Sequence, residues 1–333
     1  MHPRNNAPSR LLFTLAGTAL LFAPFLIRAQ QSAAPPGGQQ QSQDSGDAVF
    51  SSETRLVPLN VTVADKAGHL ITNLPQSAFQ VYENNVLQQI KLFKREDVPV
   101  SMGLVIDNSG SMRERRQAVE SAALALVKDS NRQDEVFIVN FNDDAYIDNP
   151  PGKDFLTDIE DMKLALTRID SRGGTAMREA IAKSIEWLKK AHKEKKVLVV
   201  VTDGVDNAST ISLEDLVRDA RQSEVLIYSV GLLTEEEKRS AASAKRQLQA
   251  LADATGGEVF YPKELTDVDP VAHQVARDIR SQYTIGYKPT NEALDGTYRK
   301  IKVTVKAPGN PVTRTRSGYY AGDQGGAGPR KSK

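Results

Sequence analysis

The chain has 333 residues, enough for one large domain or two of ordinary size. Its 43 lysines and arginines nearly balance its 42 aspartates and glutamates, so the overall charge does not indicate a nucleic-acid partner. Cysteine is absent, which excludes a thiolate metal site, a cysteine nucleophile and a lipid-anchored cysteine.

The N-terminal part of the chain predicts export followed by a spacer. Two arginines precede an apolar run over residues 11–27, and Ala29 is a small residue suited to cleavage. This pattern predicts a signal peptide over residues 1–29, and an uncleaved membrane anchor is the alternative. Residues 30–53 are rich in Gln, Ser, Pro and Gly and predict a disordered spacer, because they offer too little apolar surface to repay ordering. We therefore expect the protein in the periplasm, on the cell surface or outside the cell.

Residues 54–97 predict a small β unit. Apolar and polar residues alternate in three segments separated by turn sequences, at residues 56–63, 79–83 and 89–93. Alternation with a period of two is typical of strands with one buried face. We expect about four antiparallel strands, a unit too small to be stable by itself.

Residues 98–281 alternate between predicted strands and helices. The strands are predicted at residues 100–106, 135–141, 197–202, 225–230 and 258–261. Helical periodicity is found at residues 113–128, 158–169, 176–191, 213–222 and 241–254, with a last helix at about 268–281. Three of the strands are nearly continuous apolar runs, as expected when helices cover both faces of a parallel sheet. The pattern predicts an α/β fold with a doubly wound, mostly parallel sheet.

Residues 282–320 return to β character, and residues 321–333 predict a disordered tail. Three strands are predicted in this region, at residues 282–287, 298–305 and 312–320. Two incomplete β units thus flank a complete α/β domain. We predict that they pair into one β-sandwich with the α/β domain inserted, because each would then cover the edges of the other; two separate small units are the alternative.

Five oxygen-bearing side chains fall at the expected carboxyl edge of the parallel sheet. Asp107, Ser109 and Ser111 directly follow its first strand, and Asp203 ends a strand expected to lie beside it. Thr175 follows two glycines, which let the backbone approach closely. Open α/β sheets bind ligands at this edge, and Mg²⁺ prefers oxygen ligands. The sequence therefore predicts a site for a hard divalent cation.

Helix capping is the alternative explanation for part of this set. Ser111 and Thr175 each precede a predicted helix, where hydroxyl side chains often cap the first turn. Capping does not explain Asp107 or Asp203, so the metal site is the favoured interpretation. The basic run at residues 113–116 is interpreted as a solvated first helical turn rather than an anion-binding patch.

The five residues, in this order, resemble the metal-ion-dependent adhesion site of von Willebrand factor type A domains. Residues 228–231 and 254–257 also resemble that family's fourth strand and the segment entering its last strand, so the resemblance covers about residues 98–280. The flanks are similar to the exported bacterial subfamily of von Willebrand factor A-related proteins, described chiefly from acidobacteria. That similarity extends the match to about residues 50–320 and rests on residues 59–63, 79–83, 282–283 and 316–319.

The resemblance implies a role for each site residue. Ser109 and Ser111 would bind the ion directly, and Thr175 would do so when a ligand is engaged. Asp107 and Asp203 would act directly or through water. The ion would be Mg²⁺, with Mn²⁺ or Ca²⁺ as alternatives, and the last helix would slide on ligand binding. Six further residues are predicted at the rim of the ligand surface: Asn108, Met112, Asn142, Asp143, Asp206 and Asn207.

These features predict a non-enzymatic, exported, metal-dependent adhesion module that grips an acidic residue of a protein or extracellular-matrix partner. No nucleic-acid partner is expected, and a membrane is expected only if the signal segment stays uncleaved. A structural or assembly role in a cell-envelope complex is one alternative. The other is a phosphoryl-transfer or hydrolytic enzyme that uses Asp107 or Ser109. It is disfavoured because Ser109 stands where such a phosphoryl-transfer site needs a second Asp, and no Gly-x-Ser-x-Gly motif surrounds it.

Overall fold

The computed structural model describes residues 56–95, 97–168, 171–233 and 238–322. The predicted signal peptide, the spacer and most of the predicted tail lie outside these ranges. Within them, no helix combines the length and the apolar character needed to cross a membrane.

The described elements follow the predicted order of a β unit, an α/β domain and a second β unit. The strands are β1 (Val57–Ala64), β2 (Phe79–Glu83), β3 (Val86–Gln88), β4 (Ile90–Lys94), β5 (Val100–Asp107), β6 (Glu135–Phe141), β7 (Ala145–Ile147), β8 (Lys195–Thr202), β9 (Leu226–Gly231), β10 (Val259–Phe260), β11 (Tyr283–Tyr287), β12 (Tyr298–Val305), β13 (Val312–Arg314) and β14 (Gly318–Tyr320). The helices are α1 (Arg116–Lys128), α2 (Ile159–Leu166), α3 (Met177–Trp187), α4 (Leu213–Ser223), α5 (Lys238–Thr255) and α6 (Val268–Arg280).

The central sheet has six strands in the order β10-β9-β8-β5-β6-β7. Its strands are parallel except β7, which is antiparallel to β6. Strand β5 lies between β8 and β6, so that Leu104 is opposite both Val199 and Ile138. The carboxyl ends of β5 and β8 therefore lie side by side, which brings together two of the loops that carry predicted metal ligands.

Helices cover both faces of this sheet. Leu104 packs with Leu126 in a core between the sheet and α1, α2 and α6. Val105 packs on the opposite face with Ile181 and Leu248, in a core that includes α3, α4 and α5. Successive residues of a strand point to opposite faces, so a strand buried on both sides is apolar throughout. The predicted doubly wound α/β fold is confirmed.

The flanking strands form two antiparallel sheets, ordered β13-β1-β11-β4 and β14-β12-β2-β3. Each sheet combines strands from both ends of the chain: Leu59 of β1 lies opposite Ile285 of β11, and Val81 of β2 lies opposite Val303 of β12. The two sheets share one apolar core, in which Tyr283 is buried with these four residues. The predicted single sandwich is confirmed, since neither flank covers its own apolar face.

The single strand predicted at residues 312–320 is wrong. Strand β13 pairs with β1 and strand β14 pairs with β12, so the chain crosses between the two sheets of the sandwich. Arg316 lies in this crossing and donates to the backbone oxygen of Pro58 at 2.8 Å. At Gly318 a β-carbon would lie 2.3 Å from the backbone oxygen of Arg299, so no larger residue fits there. The alternating sequence pattern continues through the crossing and does not reveal it.

Two local features of the α/β domain also differ from the prediction. The first helix was expected from residue 113, but α1 begins at Arg116, after a short 3-10 turn at Gly110–Met112. Strand β7 was not predicted, because an edge strand of three residues is too short to show a periodic pattern.

Candidate metal centre

Asp107 ends β5, and its side chain is buried at the carboxyl edge of the sheet. Its Oδ1 accepts the backbone N–H of Ser109 at 2.8 Å, and its Oδ2 accepts the hydroxyl of Thr202 in β8 at 2.6 Å. Burial raises the pKa of Asp107 to about 6; these hydrogen bonds oppose the rise, and the Asp203 carboxylate adds to it. A cation beside Asp107 would stabilise its ionised form.

Ser109, Ser111 and Asp203 form a hydrogen-bonded chain beside this carboxylate. The hydroxyl of Ser111 donates to Oδ1 of Asp203 at 2.8 Å, and the two serine hydroxyl oxygens are 3.1 Å apart. Asp203 directly follows β8, so the neighbouring strand ends of β5 and β8 supply all the members of the chain. The structure thus places four of the five predicted ligands in one continuous network.

Thr175 lies in the loop before α3, and this loop contacts the loops that follow β5 and β8. The N–H of Gly110 donates to the backbone oxygen of Gly173 at 3.2 Å. The side chain of Asn207 accepts the N–H of Thr175 at 2.9 Å, and the Thr175 hydroxyl lies 3.8 Å from the position that a β-carbon of Gly204 would occupy. Thr175 is buried, and its hydroxyl oxygen lies beside the segment that follows Asp203, where a metal ligand is expected.

The two glycines before Thr175 allow the loop to lie close to the side chain of Asp143. Gly173 has a φ of +71°, and a β-carbon there would lie 2.1 Å from Oδ2 of Asp143. The N–H of Gly174 donates to Oδ1 of the same aspartate at 2.7 Å. A side chain at Gly173 would be strained by the positive φ and would have to displace the Asp143 carboxylate, so the close approach expected from the glycine pair is present.

Helix capping does not explain Ser111 and Thr175. The N-cap residue of α1 is Arg115 and that of α3 is Ala176, and neither helix has a side-chain cap. The hydroxyl of Ser111 donates to Asp203 instead. The capping alternative is therefore wrong for these two residues.

Arg115 is a member of the site that sequence reasoning missed. Its guanidinium donates to Oδ2 of Asp203 and, at 3.3 Å, to the backbone oxygen of Ser111. The interpretation of residues 113–116 as a solvated turn is wrong for this arginine. The sequence predicts a helix start at these residues but does not reveal which arginine turns back toward a carboxylate 88 positions away.

Asn108 and Met112 do not lie at a rim. Both are buried, with 1% of each residue exposed, so neither contacts a ligand without rearrangement. The Asn108 side chain donates to the side-chain oxygen of Asn140 at 2.8 Å, and Met112 packs in the core beneath α1. The structure corrects the rim prediction for these two residues, because the turn after Asp107 points both side chains inward.

The remaining rim candidates divide into two pairs. Asn142 and Asp206 are buried, and Asp206 accepts both the backbone N–H of Arg178 at 2.7 Å and its guanidinium at 3.1 Å. The backbone oxygen of Asn142 accepts the N–H of Ala176, the N-cap residue of α3, at 2.7 Å, so this pair supports the start of α3 rather than a surface. Asp143 and Asn207 are exposed, and their side chains also hold the loop that carries Thr175.

Comparison with known proteins identifies the fold family. The family model for the von Willebrand factor type A domain matches residues 102–300, more than half of the chain. The chain belongs to the von Willebrand factor type A domain family.

An uncharacterized protein from Borreliella burgdorferi is 26% identical over 216 residues, which cover 63% of this chain and 60% of that protein. Inter-alpha-trypsin inhibitor heavy chain H2 from Sus scrofa is 24% identical over 226 residues, covering 63% of this chain and 23% of the relative. The chain therefore spans less than two thirds of these relatives.

Solved structures with a similar arrangement include a von Willebrand factor type A protein from Catenulispora acidiphila. Its TM-score is 0.47 at 16% identity, over 81% of this chain and 75% of that one. Proximal thread matrix protein 1 from the mussel byssus, solved with a zinc-occupied metal-ion-dependent adhesion site, gives a TM-score of 0.48 at 16% identity, over 59% and 49% of the two chains.

In this von Willebrand factor type A domain, the donor set fits a hard divalent ion. The five predicted ligands supply two carboxylates and three hydroxyls. No group of three or more His, Cys, Asp or Glu side chains is arranged to hold a metal within the described ranges. Metal binding at this edge would thus depend on the hydroxyls, which suits Mg²⁺ better than a soft ion.

Proposed function

We propose that this protein is an exported, non-enzymatic binding module that holds a carboxylate of a protein or matrix partner through a divalent ion. Asp107, Ser109, Ser111, Thr175 and Asp203 would hold that ion. We expect Mg²⁺, with Mn²⁺ and Ca²⁺ as alternatives, because the all-oxygen donor set suits all three hard ions. The observation that carries the proposal is the hydrogen-bonded chain from Ser109 through Ser111 to Asp203, beside the buried Asp107.

The charges and burial of these residues suit binding of an acidic group. Two of the five donors are anionic and three are neutral hydroxyls, so a bound divalent ion would keep the capacity to attract a further carboxylate. Burial of Asp107 and Asp203 keeps water from competing for their oxygens. Asp143 and Asn207 lie on the exposed side of the Thr175 loop, where a partner would meet them.

The same geometry disfavours the enzyme alternative. A phosphoryl acceptor must be reached by its donor, whereas Asp107 is buried and both of its oxygens accept hydrogen bonds. A nucleophilic Ser109 would need a general base. The histidines at positions 69, 192 and 273 contact Asp65, Glu135 and Asp129 respectively. These contacts support a ligand role for Ser109 over a nucleophilic one.

Export belongs to the same proposal. The basic and apolar pattern of residues 1–29 supports a signal peptide, and the flanking β segments support membership of the exported bacterial subfamily. The location would be the periplasm, the cell surface or the medium.

Calorimetric titration of the purified protein with Mg²⁺ and Mn²⁺ tests the metal site. We expect binding by the unchanged chain and a loss of at least about tenfold in affinity for Asp203→Asn, because an amide replaces an anionic ligand. Asp253→Asn, which removes an exposed carboxylate from the last turn of α5, is the matched control and should bind as the unchanged chain does. Absence of binding by the unchanged chain at millimolar metal would refute the proposal.

A pull-down from envelope extracts tests what the metal is for. A partner held through the ion should be released by EDTA and should not bind Asp203→Asn. Partners that are indifferent to both changes would indicate the alternative structural or assembly role in a cell-envelope complex.

A further inference from the structure

Arg115 occupies an unusual place for a cation. It is the N-cap residue of α1, and the first turn of that helix contains no acidic residue. A positive charge at a helix N-terminus opposes the helix dipole, so α1 itself gains nothing from an arginine there. The guanidinium instead pairs with the Asp203 carboxylate, which is 1% exposed, while the Arg115 side chain is 21% exposed.

The ion pair occupies a carboxylate oxygen of Asp203 that could otherwise bind a metal ion. Oδ1 of Asp203 accepts the Ser111 hydroxyl at 2.8 Å, and Oδ2 accepts the guanidinium of Arg115. A divalent ion that engages Asp203 must either displace this guanidinium or bind close to it, and both alternatives cost free energy. Lowering or raising the pH does not relieve this cost, since arginine keeps its charge at every accessible pH.

We propose that Arg115 is an internal counter-cation that competes with the divalent ion for Asp203 and thereby sets the metal affinity of the site. This inference rests on the proposed function, because it takes Asp203 as a metal ligand. Arg115 is a positioning residue in this view: it holds Asp203 in place through the ion pair and weakens the site for metal at the same time. The neighbouring Arg116 contacts Glu120 one turn further along α1 at 2.7 Å, so it provides a matched comparison.

The test compares Arg115→Gln with Arg116→Gln in calorimetric titrations of the full chain with MnCl₂. Each substitution removes one positive charge from the same turn. We expect Arg115→Gln to bind Mn²⁺ about tenfold more tightly than the unchanged chain, and Arg116→Gln to change the affinity by less than about twofold. Arg115→Met removes the same charge but leaves an apolar side chain, and it should show the same gain in Mn²⁺ affinity.

Thermal unfolding supplies a readout that does not depend on the titration. In EDTA, Arg115→Gln should unfold at a lower temperature than the unchanged chain, because Asp203 then keeps the Ser111 hydroxyl but loses its charged partner. Saturating Mn²⁺ should remove or reverse that difference.

The remaining outcomes separate this inference from the proposed function. If the unchanged chain binds Mn²⁺ and both Arg115 variants bind it equally or more weakly, the competition is refuted and the metal site stands. Equal gains in Arg115→Gln and Arg116→Gln would also refute it, since general charge would then explain the effect. If none of these proteins binds Mn²⁺, the proposed function fails and this inference fails with it.

Discussion

At the scale of single residues, the hydroxyl of Thr202 donates a hydrogen bond to the buried carboxylate of Asp107. Thr202 is buried at the end of β8 and donates to Asp107 at 2.6 Å, while its oxygen accepts the N–H of Gly204 at 3.3 Å. A hydrogen bond adds little net free energy by itself, but a buried group left without its partner bears the full cost of desolvation. Thr202 therefore joins the two strand ends that carry the site.

We expect Thr202→Val to lower the free energy of unfolding by about 1–3 kcal/mol, because valine keeps the shape and removes the donor to Asp107. Urea unfolding in EDTA measures this loss. The control is Thr167→Val, at an exposed threonine whose hydroxyl contacts the backbone of α2, and it should change stability by less than about 0.5 kcal/mol. Equal effects of the two substitutions would contradict the assigned role of Thr202.

At the scale of elements, α1 and α6 pack on the same face of the sheet and are linked by His273. Its Nδ1 hydrogen-bonds to Asp129 at the end of α1, and its Nε2 lies 3.4 Å from a carboxylate oxygen of Asp269. The hydrogen bond to Asp129 raises the pKa of His273 above its ordinary value, and the charges of both carboxylates add to the rise. Because the pKa is raised on folding, the link stabilises the fold fully below the ordinary histidine pKa. That contribution is lost as the pH rises through the folded value.

Asp129→Asn should therefore lower the pKa of His273, which NMR titration of its ring protons measures directly. Its destabilising effect should be larger at about pH 5.5 than at about pH 8.5, where the imidazole is neutral in both proteins. Asp65→Asn, which removes the partner of His69 instead, is the control and should leave the His273 titration unchanged. An unchanged His273 pKa in Asp129→Asn would show that the interhelical link does not form in solution.

At the scale of the whole described chain, an ion-pair cluster connects the sandwich to the α/β domain. Arg314 of β13 contacts Asp278 of α6 and Glu258, which precedes β10, each at 2.8 Å. Asp278 is buried, and burial raises its pKa against the opposing effect of Arg314. Since the flanking strands enclose the α/β domain in sequence, this cluster helps to hold the two parts together where they meet.

Arg314→Gln should lower the free energy of unfolding by about 3 kcal/mol near neutral pH, because it leaves Asp278 buried without its partner. The raised pKa of Asp278 means that acid neutralises it readily in the folded protein, so the difference between the two proteins should shrink as the pH falls. Urea unfolding at several pH values measures both effects. Arg218→Gln breaks an exposed pair with Asp215 and should cost less than about 0.5 kcal/mol; a cost similar to that of Arg314→Gln would contradict the importance of burial.

The sequence by itself determined the fold class and predicted that the proposed ligands meet at one edge of the sheet. Alternating strands and helices require a sheet covered on both faces, and the carboxyl edge of such a sheet collects the residues that follow its strands. Asp107, Ser109 and Ser111 are close in sequence, and Asp203 follows the neighbouring strand, so their proximity could be predicted. The two flanking β units each left strand edges uncovered, which led us to predict one sandwich, with two separate units as the alternative.

Only the tertiary structure shows which residues distant in sequence come into contact. It also shows which of several chemically similar neighbours makes a given contact. Periodicity shows which face of an element is apolar, but it does not show that the chain crosses between sheets at Arg316 or that Asn108 and Met112 turn inward. Nor does composition distinguish Arg115 from its basic neighbours. Which arginine reaches Asp203 depends on how α1 is placed over the edge of the sheet, and that placement is set by packing of the whole domain.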